Sequence, residues 1–199
     1  DEDHFILNGS KTYISNGINA DYVVVAGKSD PENNPHAMTL CVVERGMEGF
    51  ERGRNLDKMG MKAQDTAELF FNNVIIPKEN VLGEVGRGFF YLMQGLAEER
   101  LIAAVGSIAS ARRAFNLTRE FVMERKVFGK PLSYMQNTQF KMAEMDTEIE
   151  IVEVFIDHLV AEHNEDRLTA NMAAKAKLQS TEIEWKMLDL GVQLHGGAG

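Results

Sequence analysis

The sequence is poor in residues that cross-link a fold or hold a metal. Its 199 residues include one cysteine, Cys41, which has no second thiol in the chain for a disulfide. This lone thiol favours a reducing compartment and excludes a cysteine cage for zinc. The five histidines show no HExxH spacing, so we expect no metal site. No run of about 18 apolar residues occurs, so we expect no membrane span.

Basic charge is also scarce. Asp and Glu number 30 against 21 Lys and Arg, which gives a net charge of −9 and argues against general nucleic-acid binding. A local cationic pocket stays possible. The sequence has no P-loop, GxGxxG or GxSxG motif. With 44% hydrophobic and 26% charged residues, the composition is typical of a globular protein rather than a disordered one.

Residues 1–82 have the pattern of β-strands. Asn8-Gly9 separates two strand-like runs, residues 5–7 and 11–15, and predicts a hairpin with a type I′ turn. Three further runs are rich in β-branched or aromatic residues: 22–26, 38–43 and 69–76. Gly, Pro and Asn clusters separate them, including an expected exposed loop at 30–35. Short strands at this spacing predict a small antiparallel sandwich or barrel.

After Pro77 the apolar residues follow helical spacing. We predict a helix from Gly88 to about Arg125, whose apolar positions are Leu101, Ala104, Val105, Ile108, Phe115 and Val122. Ser133 and Gln136 form a capping-box signature for a second helix, which ends at a turn over residues 164–166. Its apolar positions are Met142, Met145, Ile149, Val152, Ile156 and Leu159. A third helix carries Met172, Ala176, Ile183, Met187, Leu190 and Leu194.

These patterns predict an α+β chain. Residues 1–82 form the β domain and residues 83–199 form an up-down helical bundle. The chain begins at Asp1 rather than Met and stops in a glycine turn, so we expect a fragment of a longer protein.

Four polar features stand out, and each has a structural explanation as well as a functional one. Glu98-Glu99-Arg100 interrupts an apolar stretch, as a solvated helix face also does. Arg125-Lys126 suits an anion, but cations also close helix C-termini. His195-Gly196-Gly197 offers backbone amides to phosphate, or simply ends a helix. Asp65 and Glu68 form either a carboxylate pair or, as we expect, a solvated loop before a strand.

Five motifs, in order, resemble those of the acyl-CoA dehydrogenase family. They are residues 7–17 (LNGSKTYISNG), 58–69 (KMGMKAQDTAEL), 124–131 (ERKVFGKP), 136–145 (QNTQFKMAEM) and 192–199 (VQLHGGAG). Residues 62–71 and 88–100 are similar to the long-chain branch of that family. The resemblance implies a central β domain followed by part of the C-terminal helical bundle. The family's N-terminal helical domain and last bundle helices would lie outside this chain, which we expect to be inactive alone.

The resemblance implies FAD-dependent α,β-dehydrogenation of acyl-CoA thioesters to trans-2-enoyl-CoA, in fatty-acid or branched acyl-CoA breakdown. A carboxylate removes the α proton while the β hydride passes to the flavin, which an electron-transferring flavoprotein reoxidises. The long-chain and isovaleryl branches carry this base before an Arg-Leu pair, a context that Glu99 matches. Glu98 is its nearest rival, but adjacent helical residues project about 100° apart.

Three sets of residues in this sequence resemble the positions at which the family binds its flavin. Tyr13, Ile14 and Ser15 match the segment beside the isoalloxazine ring, where many relatives carry Trp in place of Tyr13. Arg125 and Gln136 match residues that hold the flavin of the neighbouring subunit, which implies a homodimer or homotetramer. The glycine segment that approaches the same dinucleotide is matched by Gln193, Leu194, His195, Gly196 and Gly197.

Substrate contacts of the long-chain branch match Pro35, His36, Phe90, Ala97, Glu98 and Arg100. The implied location is the cytoplasm, or the mitochondrial matrix in a eukaryote. Two alternatives stay open: an acyl-CoA oxidase of the same fold, and a non-catalytic homologue that uses the bundle for assembly.

Overall fold

The computed structural model describes residues 3–30, 32–34 and 36–199. They fall into two units that divide between Met93 and Gln94, within the first long helix. The domain boundary predicted after Leu82 stays a prediction. Pro35 lies outside the described residues.

The first unit is a β-sandwich of two three-stranded sheets. Its strands are β1 (His4–Ser15), β2 (Tyr22–Lys28), β3 (Met38–Glu44), β4 (Phe50–Asn55), β5 (Thr66–Pro77) and β6 (Val81–Leu82). One sheet has the order β1-β5-β4, the other β2-β3-β6, and all pairs are antiparallel. Both sheets contribute to one core, formed by Val25, Cys41, Val43, Leu69, Phe71, Val74 and Ile76. The expected sandwich is confirmed.

The predicted hairpin at Asn8-Gly9 is wrong, because β1 continues through this pair as one strand. The strand β5 is as long as β1 and pairs with it from His4 to Ser15, with a register shift between Leu7 and Gly9. Asn8 Oδ1 accepts a hydrogen bond from Asn73 N at 2.8 Å, across to β5. The shift sets two β5 residues, Asn72 and Asn73, opposite Asn8 alone, so the bulge lies on β5 and Asn8-Gly9 continues β1 without reversing the chain.

The second unit consists mainly of three long helices, α1 (Gly88–Glu124), α2 (Gln136–Asn164) and α3 (Ala170–His195), of which α1 begins in the first unit. Most predicted apolar positions form its core, although Val105 is 41% exposed. Arg112 on α1 pairs with Asp146 and Glu153 on α2, and Lys186 on α3 pairs with Glu148 on α2. The two residues of each pair lie at broadly similar distances from the turn that connects their helices, so neighbouring helices run antiparallel. The up-down bundle is confirmed.

The capping-box prediction at Ser133 is wrong. Met135 is the N-cap residue of α2, and no side chain caps it. Ser133 lies in a short 3-10 turn over Leu132–Tyr134, where its carbonyl accepts from Gln139 Nε2 at 2.9 Å. A side-chain cap does begin α3, because Thr169 Oγ1 accepts from Met172 N at 3.2 Å. None of the described helices has a stretch long and apolar enough to cross a membrane.

Candidate active site

The end of β1 presents Tyr13 and Ser15 at the surface of the sandwich. A register shift between Lys11 and Ile14 leaves Tyr13 at φ 61°, with its side chain 77% exposed. Left-handed conformations cost a non-glycine residue about 1–3 kcal/mol and persist only where surrounding contacts hold them. Ile14 packs against the sandwich core instead, which anchors the segment.

The turn after Ser15 is held by a buried carboxylate. Asp65 is 8% exposed, and its Oδ2 accepts from Ile18 N at 2.8 Å. Its Oδ1 accepts from Asn19 Nδ2 at 2.9 Å. Burial alone would raise the pKa of Asp65, but the bonds from Ile18 and Asn19 outweigh it and hold that pKa below its usual range. The expected solvated loop is therefore wrong for Asp65, whose oxygens serve the fold rather than a pair with Glu68.

Two arginines bind the carbonyl side of the same turn. Arg52 donates to Ile18 O at 2.9 Å and to Ala20 O at 2.8 Å. Arg45 reaches Ile18 O at 2.9 Å and forms an ion pair with Asp21 at 2.8 Å. Sequence reasoning missed these residues, because their shared partner Ile18 lies 27 positions from Arg45 and 34 positions from Arg52 along the chain.

The candidate base, Glu99, lies on an open face of α1. At about 100° per residue, Glu99 projects nearly opposite the buried stripe of Leu101, Ala104 and Ile108, whereas Glu98 projects at its flank. Side chains lean toward the helix N-terminus, so Glu99 extends over Gly95. A Cβ at Gly95 would lie 3.9 Å from Glu99 Oε1. Apart from its neighbours in the chain, no other described side chain comes within 4 Å of that position.

The predicted substrate-contacting residues occupy both units. Ala97 and Arg100 are half-buried beside Glu99 on α1, and Glu98 is exposed. In the first unit, exposed His36 precedes β3 and Phe90 lies in the first turn of α1. A backbone bridge between Met38 and Arg87 joins these two segments. The guanidinium of Arg87 lies 5.0 Å from the centre of the Phe90 ring.

A short hairpin follows α1 and carries the candidate phosphate-binding arginine. Its strands are β7 (Lys126–Val127) and β8 (Lys130–Pro131). Arg125 is exposed at its base, and its carbonyl accepts from Leu132 N at 2.7 Å. At the tip, Phe128 and Gly129 have φ of 49° and 80°, and the Phe128 side chain is 99% exposed. Phe128 is therefore a candidate contact residue that sequence reasoning did not single out, because the Phe128-Gly129 pair gave the only signal for it.

The end of α3 lies against the same part of α1. The rings of His195 and Phe121 stack with centroids 4.0 Å apart, and Arg125 N donates to Phe121 O at 2.8 Å. Beyond this stack, a Cβ at Gly196 or Gly197 would meet nothing within 4 Å. Gln193 is exposed and Leu194 half-buried on the preceding turn. Gln136 begins α2 directly after the hairpin and its 3-10 turn.

These residues fit a flavin dinucleotide. The exposed guanidinium of Arg125 has the planar donors that bind two phosphate oxygens at once. The open backbone at Gly196 and Gly197 allows a ligand to approach the main chain closely. Within the described residues, no three His, Cys, Asp or Glu side chains gather into a group that could hold a metal.

Comparison with known protein families gives two matches that together cover most of the chain. Residues 1–74 match "Acyl-CoA dehydrogenase, middle domain", and residues 86–199 match "Acyl-CoA dehydrogenase, C-terminal domain". The chain belongs to the acyl-CoA dehydrogenase family, as its motifs predicted. Members of this family are generally flavin-dependent oxidoreductases that act on acyl-CoA.

Curated relatives include the mitochondrial long-chain specific acyl-CoA dehydrogenase of Mus musculus, which is 44% identical over 98% of this chain and 46% of its own length. The mitochondrial isovaleryl-CoA dehydrogenase of Solanum tuberosum is 34% identical over 100% of this chain and 48% of its own. This chain therefore spans about half the length of the curated relatives it matches.

Among solved structures, an acyl-CoA dehydrogenase from Geobacillus kaustophilus is 46% identical with a TM-score of 0.95, over 99% of this chain and 52% of that one. Butyryl-CoA dehydrogenase from Megasphaera elsdenii is 34% identical with a TM-score of 0.90, over 98% and 51% of the two chains. These similarities confirm the predicted α+β fold.

Proposed function

We propose that the full-length protein containing this chain is an FAD-dependent acyl-CoA dehydrogenase that converts acyl-CoA thioesters to trans-2-enoyl-CoA. The observation that carries the proposal is the position of Glu99, which is uncovered on the α1 face opposite the bundle core and extends over Gly95. A general base must be free to reach the proton that it removes, and among the described residues of its unit no cation forms an ion pair with Glu99.

The chemistry assigned to this chain is proton removal. Glu99 accepts the α proton of the thioester, whose acidity comes from the adjacent carbonyl, and the α,β double bond forms as the β hydrogen leaves. A bound flavin supplies the acceptor for that hydrogen as hydride. Glu98, one position away at the flank of the helix, is the rival base and otherwise a substrate contact.

The flavin contacts that we propose fall into two groups. Tyr13, Ile14 and Ser15 lie beside the isoalloxazine ring, with the Ser15 hydroxyl as a hydrogen-bonding group. The dinucleotide of a neighbouring subunit is held by Arg125, Gln136 and the segment that comprises Gln193, Leu194, His195, Gly196 and Gly197. We add Phe128, because its exposed ring lies three residues beyond Arg125 on a turn with left-handed backbone. A cofactor shared between subunits implies a homodimer or homotetramer.

Acyl-CoA contacts are assigned to Pro35, His36, Phe90, Ala97, Glu98 and Arg100. The identity to long-chain specific relatives, 42–44%, exceeds the 33–34% to isovaleryl-CoA dehydrogenases and supports a long acyl chain. An electron-transferring flavoprotein is the proposed electron acceptor. A solved structure described as the electron transferring flavoprotein of Acidaminococcus fermentans includes a chain that is 36% identical to this one. Relatives named as mitochondrial support a matrix location in a eukaryote. For a protein from a prokaryote, the location we propose is the cytoplasm.

The test is anaerobic titration of the full-length protein, purified with its flavin, with acyl-CoA thioesters of increasing length. We expect bleaching of the flavin absorbance and formation of enoyl-CoA, with long chains preferred. A protein that purifies without flavin, or whose flavin no acyl-CoA reduces, would contradict the proposal and favour a non-catalytic assembly role.

An acyl-CoA oxidase is the second candidate. A prolyl acyl carrier protein oxidase, 25% identical with a TM-score of 0.91, shares the fold. Stopped-flow mixing of the reduced protein with oxygen separates the two: a dehydrogenase reoxidises slowly with oxygen and rapidly with electron-transferring flavoprotein, and an oxidase does the reverse.

A further inference from the structure

We infer that Asp65 is a positioning residue for the flavin-facing end of β1, because its carboxylate fixes the turn from which Tyr13 and Ser15 are presented. The inference rests on the proposed function, in which these two residues face the isoalloxazine ring. Asp65 contacts neither substrate nor cofactor in this scheme. It acts through the backbone of residues 16–19.

Asp65 accepts hydrogen bonds from three positions of this turn. Its two carboxylate oxygens take the Ile18 amide at 2.8 Å and the Asn19 side-chain amide at 2.9 Å. Its backbone carbonyl accepts from Asn16 N at 3.2 Å. Because both oxygens of this carboxylate accept hydrogen bonds, the turn has little freedom to rotate.

The backbone amide and the backbone carbonyl of Ile18 are bound by side chains of opposite charge. The amide of Ile18 donates to Asp65, and its carbonyl accepts from Arg52 at 2.9 Å and from Arg45 at 2.9 Å. The turn is therefore clamped between an anion on its N–H side and two cations on its carbonyl side. Charge-assisted bonds are about twice as strong as neutral ones, so removal of the anion loosens one side of this clamp.

The clamp is continuous with the candidate flavin contacts. Ser15 pairs with Thr66, the residue after Asp65, and Ile14 pairs with Ala67. Gly17 N donates back to Ile14 O at 3.2 Å, and a Cβ on Gly17 would meet that oxygen at 3.0 Å. The turn thus packs directly on the segment that it follows.

Backbone strain explains why such a clamp is needed. Tyr13 and Asn16 flank Ile14 and Ser15, and both have left-handed φ, 61° and 62°. Each costs about 1–3 kcal/mol unless surrounding contacts over-determine it. We expect these two residues to relax when Asp65 no longer fixes residues 16–19, which would move the Ser15 hydroxyl and the Tyr13 ring.

The test is Asp65→Asn in the full-length flavoprotein. Asparagine keeps the shape but offers one acceptor oxygen and no charge. Loss of a charge-assisted bond corresponds to about a tenfold change or more. We expect hydrogen exchange of residues 16–19 to quicken about tenfold and the Kd for FAD, measured by reconstitution of apoprotein, to rise about tenfold. At saturating FAD, the rate of anaerobic reduction should fall and the visible flavin spectrum should shift, whereas KM for acyl-CoA should not change.

The matched control is Asp57→Asn, which removes the same charge from a side chain that is 99% exposed. If Asp65→Asn fails to fold, Asn19→Ala replaces it, because this change removes one donor to Asp65 and leaves the carboxylate in place. The inference is overturned if the variant that folds matches the parent and Asp57→Asn in three measurements. These are the hydrogen-exchange rate of residues 16–19, the Kd for FAD and the rate of anaerobic reduction. A parent that binds no flavin overturns the proposed function and this inference with it. A parent that is reduced normally, beside an unaffected variant, overturns the inference alone.

Discussion

His195 stacks on Phe121, with ring centroids 4.0 Å apart and planes inclined by 22°. His195 Nδ1 also donates to Gly191 O at 2.7 Å, so the imidazole is fixed on both its face and its edge. Phe121 lies one turn before Arg125, and His195 directly precedes the Gly196-Gly197 turn. The stack therefore joins the candidate phosphate-binding arginine to the open glycine backbone at one end of the bundle.

Phe121→Ala should weaken flavin binding by loosening the glycine turn. An aromatic pair contributes about 0.5–1.5 kcal/mol beyond its buried area, which corresponds to a loss of roughly twofold to tenfold in affinity if the turn must be reordered on binding. Apoprotein reconstitution with FAD measures the effect. Phe121→Tyr, which keeps the stacked ring, is the control and should bind FAD as the parent does. Equal affinities in all three proteins would show that the stack has no part in the site.

Arg125→Ala should weaken flavin binding more than it weakens folding. The side chain is exposed, so its removal leaves no cavity, but loss of a charge-assisted phosphate contact costs about 1.5–3 kcal/mol. Flavin occupancy after gel filtration and the melting temperature of the apoprotein measure the two effects separately. Lys130→Ala removes the same charge from the same hairpin and should retain the flavin. A comparable loss of flavin from both variants would mean that net positive charge, rather than the planar guanidinium of Arg125, holds the phosphate.

Glu99→Gln should abolish turnover and spare flavin content. Gln keeps the shape and hydrogen bonding of Glu but does not take a proton at neutral pH. A positioned base contributes typically 10²- to 10⁴-fold, so we expect a fall of at least about a hundredfold in the rate of anaerobic flavin reduction. Direct measurement of reduction prevents a reoxidation defect from being mistaken for loss of proton removal.

Glu98→Gln is the control for this experiment, since it changes the same charge one residue away on the flank of α1. An inactive Glu98→Gln beside an active Glu99→Gln would reverse the assignment of the two carboxylates. Full activity in both would place the base outside this chain.

Arg112→Met should destabilise the helical bundle. Arg112 is 27% exposed and bonds both oxygens of Glu153, at 2.9 and 2.6 Å, as well as Asp146 at 2.6 Å. The hydrogen bonds and charges of Glu153 and Asp146 raise the pKa of Arg112, so these carboxylates favour its charged form. Because the carboxylates are partly exposed, we expect a loss of about 1–2 kcal/mol in the free energy of unfolding by urea. Arg113→Met, on the exposed neighbour, should change it by less than about 0.5 kcal/mol.

Asp65 should make the sandwich sensitive to acid. Its folded-state pKa lies below the ordinary value of 3.8, so folding favours the ionised carboxylate. That stabilisation is complete above about pH 5 and is lost as pH falls through 3.8 toward the folded-state pKa. Between pH 7 and pH 3 the melting temperature of the parent should therefore fall further than that of Asp65→Asn. Parallel curves would show that this carboxylate titrates alike in the folded and unfolded chain.

The long elements were predictable from the sequence because their cause is local. A helix or a strand repeats with a fixed period, and α1, α2 and α3 begin and end close to where the apolar pattern does. The hairpin at Asn8-Gly9 failed because the turn preference of two residues is weaker than the pairing of twelve-residue β1 with β5. The cap at Ser133 failed because the 3-10 turn of Leu132–Tyr134 keeps that residue out of the start of α2.

The sequence by itself determined the family, the order of the two kinds of secondary structure and the positions of the candidate contacts. Tertiary structure alone decided that Asp65 is buried, because its partner Ile18 lies 47 positions away along the chain and only β1–β5 pairing brings them together. It also decided that Phe128 is exposed and that His195 stacks on Phe121. The physical reason is that periodicity reports which face of an element avoids water, whereas a hydrogen-bond or ring partner is chosen only when distant elements meet.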